Sequence, residues 1–272
     1  AESPQLMAAY DLLGRVHLAA GDPDAALAVL DEACTISPNS LTRQRAVASV
    51  AEEKGDFGRV EQALEKVIKR TRNSPLREPQ DIARLGNALN EIGEPAKAVK
   101  LIGEALANFK GDANDPMLAA VEAVAQQKTG NPDKAEAALK RALQADPDKT
   151  SAPVAMALAK ACLTTGKHAE AQGILRKLVQ THHEATELHP RVSSVLRDHG
   201  AGAIAETLVV DSVREIIQLN NDAVMRARAG ELGLAAQMLT EAAQRLPGNL
   251  QIVANAAAAL YVDVLNNGLD AE

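Results

Sequence analysis

Two short stretches of this sequence carry residue types that could do chemistry. The first, Thr164-Thr165-Gly166-Lys167, contains the glycine and lysine that a phosphate-binding loop uses, but Ala161 stands at the first glycine position and His168 replaces the closing Ser or Thr. Backbone amides arranged around a phosphate are therefore not expected there.

The second stretch, His182-His183-Glu184 with Glu187, could offer nitrogen and oxygen ligands to a metal. A zinc-binding helix of the metalloprotease type needs a second His four residues after the first, but Glu187 stands at that spacing from His183. His189 lies beyond it, before Pro190, and we interpret the histidines as helix-terminal residues. No Ser, His and Asp arrangement can be assembled either. The sequence therefore predicts no catalytic residue, no metal site, no cofactor and no enzyme activity.

Glycine recurs along the chain at a nearly constant interval. Successive positions are separated by 34, 38, 37, 36, 34 and 30 residues, and similar residues surround most of them: Gly21, Gly55, Gly93, Gly130, Gly166, Gly200 and Gly230. An internal period of this length is typical of a solenoid, in which each repeat stacks on the next. The period therefore predicts a binding surface rather than a reaction centre.

The unit around Gly21 shows the chemistry behind the period. Gly21 can end a helix because glycine tolerates a positive φ, and Asp22-Pro23 then caps and starts a second helix. Pro38 lacks an N–H and stops that helix. Small residues let the two helices approach closely, and apolar residues recur at helical spacing: Tyr10, Leu13, Gly14, His17, Ala26, Leu30 and Ala33.

This order of a large residue, Leu-Gly, His, Ala, Leu, Ala and Pro in about 34 residues closely resembles the tetratricopeptide repeat. The resemblance implies an all-α fold, a right-handed α-solenoid of about seven helix pairs that forms a single superhelical domain over 1–272. The expected repeats lie at about 7–38, 41–72, 79–110, 115–147, 151–183, 186–216 and 217–247, and a capping helix follows at 249–266.

Two intervals depart from the period. The long step after Gly55 contains Thr71–Pro79, whose two prolines require a loop between helices. The short step before Gly230 has no helix breaker from Ala203 to Ala229, and apolar residues continue there at helical spacing. We therefore predict an inserted loop in the first case and one long helix that spans two repeats in the second.

A set of short motifs, two of them at these irregular positions, is also similar to the output half of bacterial response regulators that join a CheY-like receiver to tetratricopeptide repeats. Their order and spacing carry the resemblance: Ser37–Arg45, Asn73-Ser74 with Pro79–Asp81, Val179–Glu184, Leu219–Asn221 and Leu246–Asn249. The resemblance implies a protein-binding scaffold in the output of a two-component system, with a protein, a peptide or its own receiver domain as partner. The alternative is an adaptor or lipoprotein-associated scaffold for envelope assembly or polysaccharide export. A repeat-bearing enzyme would need a catalytic domain outside these residues.

Charge and composition exclude several kinds of partner. The net charge of −7 argues against nucleic acid, whose binding needs a basic surface. No apolar run reaches the roughly 18 residues of a membrane span and no leader opens the chain, so no membrane insertion is expected. Cys34 and Cys162 are expected as reduced core thiols, which favours a cytoplasmic location. The chain begins at Ala1 rather than Met, so we interpret it as a piece of a longer protein, periplasmic if the missing part carries a signal peptide.

The first helix of each pair lines the concave groove of such a solenoid, so we predict partner contacts on these helices. The usual groove positions select Arg15, Arg45, Asn87, Met117, Val124, Met156, Lys160, Leu163, Arg197 and Asn220. Four of them would form a central apolar strip suited to an extended peptide or an amphipathic helix: Met117, Val124, Met156 and Leu163. The paired Lys and Asn of the chaperone-type carboxylate clamp are not present.

Several of these residues have a structural alternative. Met117 and Met156 could instead fill gaps between neighbouring helices. Of Asn220 and Asn221, one is expected in the groove and the other in a hydrogen bond between helices. Tyr261 on the last helix could contact a partner, and exposed end helices could also pair in self-association.

Overall fold

The computed structural model describes residues 4–145, 151–182, 188–246 and 249–267. Every regular element in these ranges is a helix, so the prediction of an all-α fold is confirmed. The chain divides into two compact units, Ala1–Pro147 and Asp148–Glu272, called the first and the second unit below. The organisation as a single domain over 1–272 stays a prediction.

The described part of the first unit contains eight α-helices and one short 3₁₀ helix. The α-helices are α1 (Pro4–Ala19), α2 (Pro23–Ile36), α3 (Leu41–Lys54), α4 (Phe57–Thr71), α5 (Pro79–Glu91), α6 (Pro95–Asn108), α7 (Pro116–Lys128) and α8 (Pro132–Ala145). The 3₁₀ helix, Lys110–Asn114, lies between α6 and α7. Consecutive α-helices pack against each other as pairs, and α5 also packs on α4 and α7.

The described part of the second unit contains six α-helices. They are α9 (Ala152–Thr164), α10 (His168–Thr181), α11 (Leu188–Asp198), α12 (Gly202–Arg228), α13 (Leu232–Arg245) and α14 (Leu250–Asn267). The long helix α12 contacts α10 and α11 as well as α13 and α14. It therefore serves as the second helix of one pair and the first helix of the next.

The turns between paired helices follow the periodic glycines. All seven have a positive φ, between 74° and 88°. At Gly130, for example, the N–H bonds the carbonyl of Gln127 and the Asn131 N–H bonds that of Gln126, which satisfies two carbonyls at the end of α7. The prediction that these glycines end helices is confirmed.

The core consists of alanine and branched aliphatic residues, in agreement with an aromatic content of 1%. Small residues bring helices close together. A Cβ atom on Gly86 of α5 would lie 3.1 Å from Val121 Cγ1 on α7 and 3.4 Å from Ile102 Cδ1 on α6. The backbone of α5 therefore approaches both neighbours at a distance that only glycine permits without movement of those side chains.

Both predicted irregularities are present. Residues 72–78 form the inserted loop between α4 and α5, and α12 continues for 27 residues without interruption. Helix α14 packs on α13 through Ile252 and Ala256, as expected for a capping helix. Pro147 and Pro247, which follow their periodic glycines at the same distance as Pro38 follows Gly21, lie outside the described residues.

Candidate partner-binding surface

Charge-assisted hydrogen bonds join the first helices of successive pairs in the first unit. Arg43 on α3 binds Asp11 on α1 at 2.8 and 2.9 Å. Arg84 on α5 binds Glu52 on α3 at 2.9 to 3.1 Å. Bidentate pairs of this kind fix both distance and direction, so α1, α3 and α5 keep a defined spacing.

Arg45 belongs to the same set of contacts. It binds Asp81 on α5 at 2.7 to 3.1 Å and Glu78 at 2.7 Å, and it donates to the Leu76 carbonyl of the inserted loop at 3.0 Å. The hydrogen bond to Asp81 is the main cause that raises the pKa of Arg45 above its usual value. The predicted groove residue Arg45 is thus used within the chain, where it joins α3 to α5 and to the loop.

The apolar groove residues predicted on α7 lie deeper than the sequence suggested. Val124 is buried at 3% exposure and contributes to the core. Met117 is half-buried and packs on the cluster that contains Ile82 and Leu118. The placement of Met117 agrees with the gap-filling alternative, and Val124 offers almost no surface to a partner.

The polar groove residues of the first unit differ in their exposure. Arg15 is exposed, whereas Asn87 is half-buried and interacts with another group of the chain. Lys128 Nζ donates to the Asn90 carbonyl at 2.7 Å, and Asn90 Nδ2 donates to the Val121 carbonyl at 3.3 Å. Most polar groups on this face therefore stabilise helix contacts.

In the second unit, the predicted residues Met156, Lys160 and Leu163 all lie on α9. Leu163 is buried at 4% exposure and belongs to the core, so it offers almost no surface to a partner. Met156 and Lys160 keep part of their surface and are one helical turn apart on the same face. Two of the four residues of the predicted apolar strip, Val124 and Leu163, are thus buried in the core of their own unit, and the strip as a partner-binding surface stays a prediction.

Lys160 has the most perturbed electrostatics of the predicted groove residues. Burial of its ammonium group lowers the pKa to about 8, and the charge of Asp198 on α11 opposes this shift only in part. Arg197, the neighbour of Asp198 in sequence, is exposed. Lys160 is therefore a partly desolvated cation on α9, and Arg197 is an exposed cation on α11.

Hydrogen bonds fix the helices around Lys160. His199 Nδ1 lies 2.8 Å from the Val195 carbonyl, which can only accept, so this nitrogen carries a proton. His199 Nε2 lies 3.2 Å from the Thr164 hydroxyl on α9. Ser194 donates to the Asp198 carboxylate at 3.2 Å. These bonds position α9 and α11 relative to each other around the lysine.

Asn220, the last predicted groove residue, is buried in α12. Its side-chain oxygen accepts from Asn255 on α14 at 3.0 Å, and its nitrogen donates to Asn221 at 3.2 Å. Asn220 therefore makes the hydrogen bond between helices, while Asn221 is exposed.

Sequence reasoning missed a cavity of about 430 Å³ in the first unit, between α4, α5 and α6. The inserted loop contributes Arg77, whose guanidinium lies 3.7 Å from the centre of the Phe109 ring and pairs with Asp112. The cavity has an apolar floor that could accept one large side chain: Ile68, Ile82, Leu85, Leu101 and Ala105. The proline pair in the loop was the only sequence signal for it.

The two stretches first considered for chemistry have structural roles where the structure describes them. Gly166, at φ +80°, ends α9, as the period predicts. His182 follows the last residue of α10, and His189 lies in the first turn of α11 rather than on a turn before it. Among the described residues, no three potential ligands lie close enough to bind a metal ion. The remaining candidates, His183, Glu184 and Glu187, lie outside the described residues.

Comparison with known proteins gives the following relatives. In solved structures, the thermophilic TPR protein TTC0263 of Thermus thermophilus is 21% identical with a TM-score of 0.51, over 70% of this chain and 98% of that one. MamA of Desulfovibrio magneticus is 18% identical with a TM-score of 0.47, over 73% and 98%. YrrB, a TPR protein with an unusual peptide-binding site, is 15% identical with a TM-score of 0.41, over 73% and 90%. No curated protein matches the chain.

Three family models, each of a tetratricopeptide repeat, match residues 7–50, 83–150 and 126–192. The likeness to TTC0263 supports the same fold, an α-solenoid. Proteins with this repeat serve as scaffolds for protein–protein interaction, and the fold is generally non-enzymatic. No described helix has the length and apolar character needed to cross a bilayer. Because the matched segments together cover more than half of the chain, it belongs to the tetratricopeptide-repeat family.

Proposed function

We propose that this chain is a non-enzymatic scaffold that binds a protein or peptide on its first helices, and that the α9–α11 face of the second unit receives an acidic segment of that partner. The observation that carries the proposal is the position of Lys160. Its ammonium group is partly desolvated at a position of α9 that the repeat pattern assigns to the groove, and Met156 precedes it by one turn.

A carboxylate is the ligand that this arrangement favours. Burial destabilises the charged form of Lys160, and the carboxylate of Asp198 compensates only part of that cost. A partner carboxylate that approaches the ammonium group would further stabilise its charged form. Met156 offers a flexible apolar contact beside Lys160.

The net charge of the whole chain further limits the kinds of partner that can bind. At a net charge of −7 the protein repels extended polyanions at long range. A short acidic segment can still bind at a single local cation such as Lys160. The proposal therefore concerns a peptide with a few carboxylates and an apolar neighbour rather than a nucleic acid.

The test begins with a selection of random peptides displayed on phage against the full chain. We expect enrichment of Asp and Glu next to an apolar residue. The substitution Lys160→Met keeps the length of the side chain and should lower the affinity for the selected peptide about tenfold. This factor corresponds to the loss of one charge-assisted hydrogen bond. The matched control is Lys177→Met on α10, an exposed lysine on a second helix. Equal affinities for both variants and the wild type would exclude Lys160 as the anchor.

The sequence motifs support a narrower hypothesis, in which the partner is the receiver domain of a two-component response regulator and the protein acts in the cytoplasm. An acidic partner surface is consistent with it, because receivers carry an acidic pocket. The gene sequence upstream of Ala1 tests it directly: a receiver domain supports this role, whereas a signal peptide or lipobox supports the envelope adaptor.

A further inference from the structure

Helix α14 in the second unit has one packed side and one open side. Its packed side contacts α12 and α13 through Ile252 and Ala256. The open side carries large apolar residues, with Leu250 at 80% and Tyr261 at 67% exposure. The set of exposed large apolar residues on this helix is Leu250, Val253, Leu260, Tyr261, Val262, Val264 and Leu265.

These residues form a stripe along the helix rather than a scatter. At about 100° per residue, Leu250, Val253 and Tyr261 lie within roughly 40° of the direction of Ala257. Val264 lies there as well, Leu260 and Leu265 flank this direction at about 60° and 80°, and Val262 points away at about 140°. The packed residues Ala256 and Ile252 lie about 100° and 140° from the same direction. The stripe therefore runs along the whole open side of α14.

The stripe carries no charge. The only Asp, Glu, Lys or Arg in α14 is Asp263, which is half-buried on the packed side. A helix of 18 residues with the chain's average of 24% charged residues would have about four. A surface helix without charges on its solvent side marks an interaction surface.

The arrangement of large and small residues is symmetric about Ala257. If two copies of α14 pack antiparallel with Ala257 on the two-fold axis, Leu250 faces Val264 and Val253 faces Tyr261 of the other copy. Leu260 then faces Ala254, so a large side chain meets a small one. The small Ala257 at the centre lets the two backbones approach closely.

We propose that the open face of α14 is the interface of a homodimer, in which two copies of this helix pair antiparallel about Ala257. A two-fold contact places the same surface on both partners, so it must complement itself in shape and must not bring like charges together. The stripe meets both requirements. A helix about 27 Å long and 10–12 Å wide covers roughly 300 Å² on each copy, below the roughly 800 Å² per partner of a standard specific interface, so we expect a weak dimer with a dissociation constant above the micromolar range.

The test measures the oligomeric state of the full chain by sedimentation equilibrium across two decades of concentration. We expect a monomer–dimer equilibrium for the wild type. Val253→Glu and Tyr261→Lys should each abolish the dimer, because each places a desolvated charge against an apolar residue. The matched control is Val262→Glu, since Val262 and Val253 are equally exposed at 38% but only Val253 lies on the stripe.

The double variant Val253→Glu/Tyr261→Lys fixes the register. In the antiparallel pair, position 253 of each copy faces position 261 of the other, so the double variant forms two ion pairs across the interface and should dimerise again. A parallel pair would instead bring like charges together. Circular dichroism confirms that each variant is folded. A wild type that stays monomeric, a dimer that survives either single variant, or a double variant that stays monomeric would each overturn the proposal.

Discussion

Replacement of Arg45 by Ala removes the cation that faces Asp81, and we expect it to lower the free energy of unfolding of the first unit by about 3 kcal/mol. The Asp81 side chain is 3% exposed, so its carboxylate would remain buried without its ion-pair partner. Removal of one member of a buried ion pair costs about 3–5 kcal/mol. Arg45 itself is 22% exposed, and water that enters the vacated space reduces the cost toward the lower end.

Urea unfolding followed by far-UV circular dichroism measures this change as a shift of the midpoint at constant slope. Arg15→Ala on α1 is the control, because Arg15 is exposed and its loss should cost at most about 0.5 kcal/mol. The double variant Arg45→Met/Asp81→Leu replaces the pair by apolar residues and should recover most of the lost stability. If Arg45→Ala behaved like Arg15→Ala, the pair would not stabilise the unit and Arg45 would be available to a partner, as the sequence predicted.

Three further outcomes are expected. Gly130→Ala should lower the free energy of unfolding by about 1 kcal/mol, because φ is +78° at this position. Gly103→Ala, at an open position in the middle of α6, should raise it by up to about 1 kcal/mol, and thermal unfolding compares the two variants. Burial lowers the pKa of Lys160 to about 8, so between about pH 8 and the usual pKa of lysine the unfolded state binds more protons than the folded state. The free energy of unfolding should therefore rise with pH in that window, and Lys160→Met should remove the rise. A thiol reagent should modify the half-buried Cys34 slowly, because burial raises the pKa of its thiol. The same reagent should reach the fully buried Cys162 only when the protein unfolds, and equal rates of modification would contradict the described packing.

The fold followed from local signals in the sequence. Each periodic glycine ends a helix with a positive φ, because that conformation is a property of the residue and its immediate neighbours. The prolines of the inserted loop and the absence of breakers in α12 are signals of the same local kind. The bounds of α14 differ from the predicted ones by only one residue at each end.

The candidate site was predicted less well, because its geometry depends on contacts between repeats. Val124 and Leu163 stand at positions that usually face the groove, but both are buried in the core of their own unit. Arg45 finds its partner Asp81 in the next repeat, 36 residues away. No pattern within one repeat reports that pairing. Lys160 was selected by position, yet its desolvation is visible only in the folded chain.

The most direct test of the central claim is the affinity of a selected acidic peptide for the full chain as a function of pH, measured by calorimetry. The peptide carboxylate should raise the pKa of Lys160, so binding should take up a proton near pH 8 and weaken as the pH rises further. Lys160→Met should bind more weakly and lose this dependence, while Lys177→Met should keep it. A pH profile that is the same in the wild type and in Lys160→Met would contradict the assignment of Lys160 as the anchor of the partner.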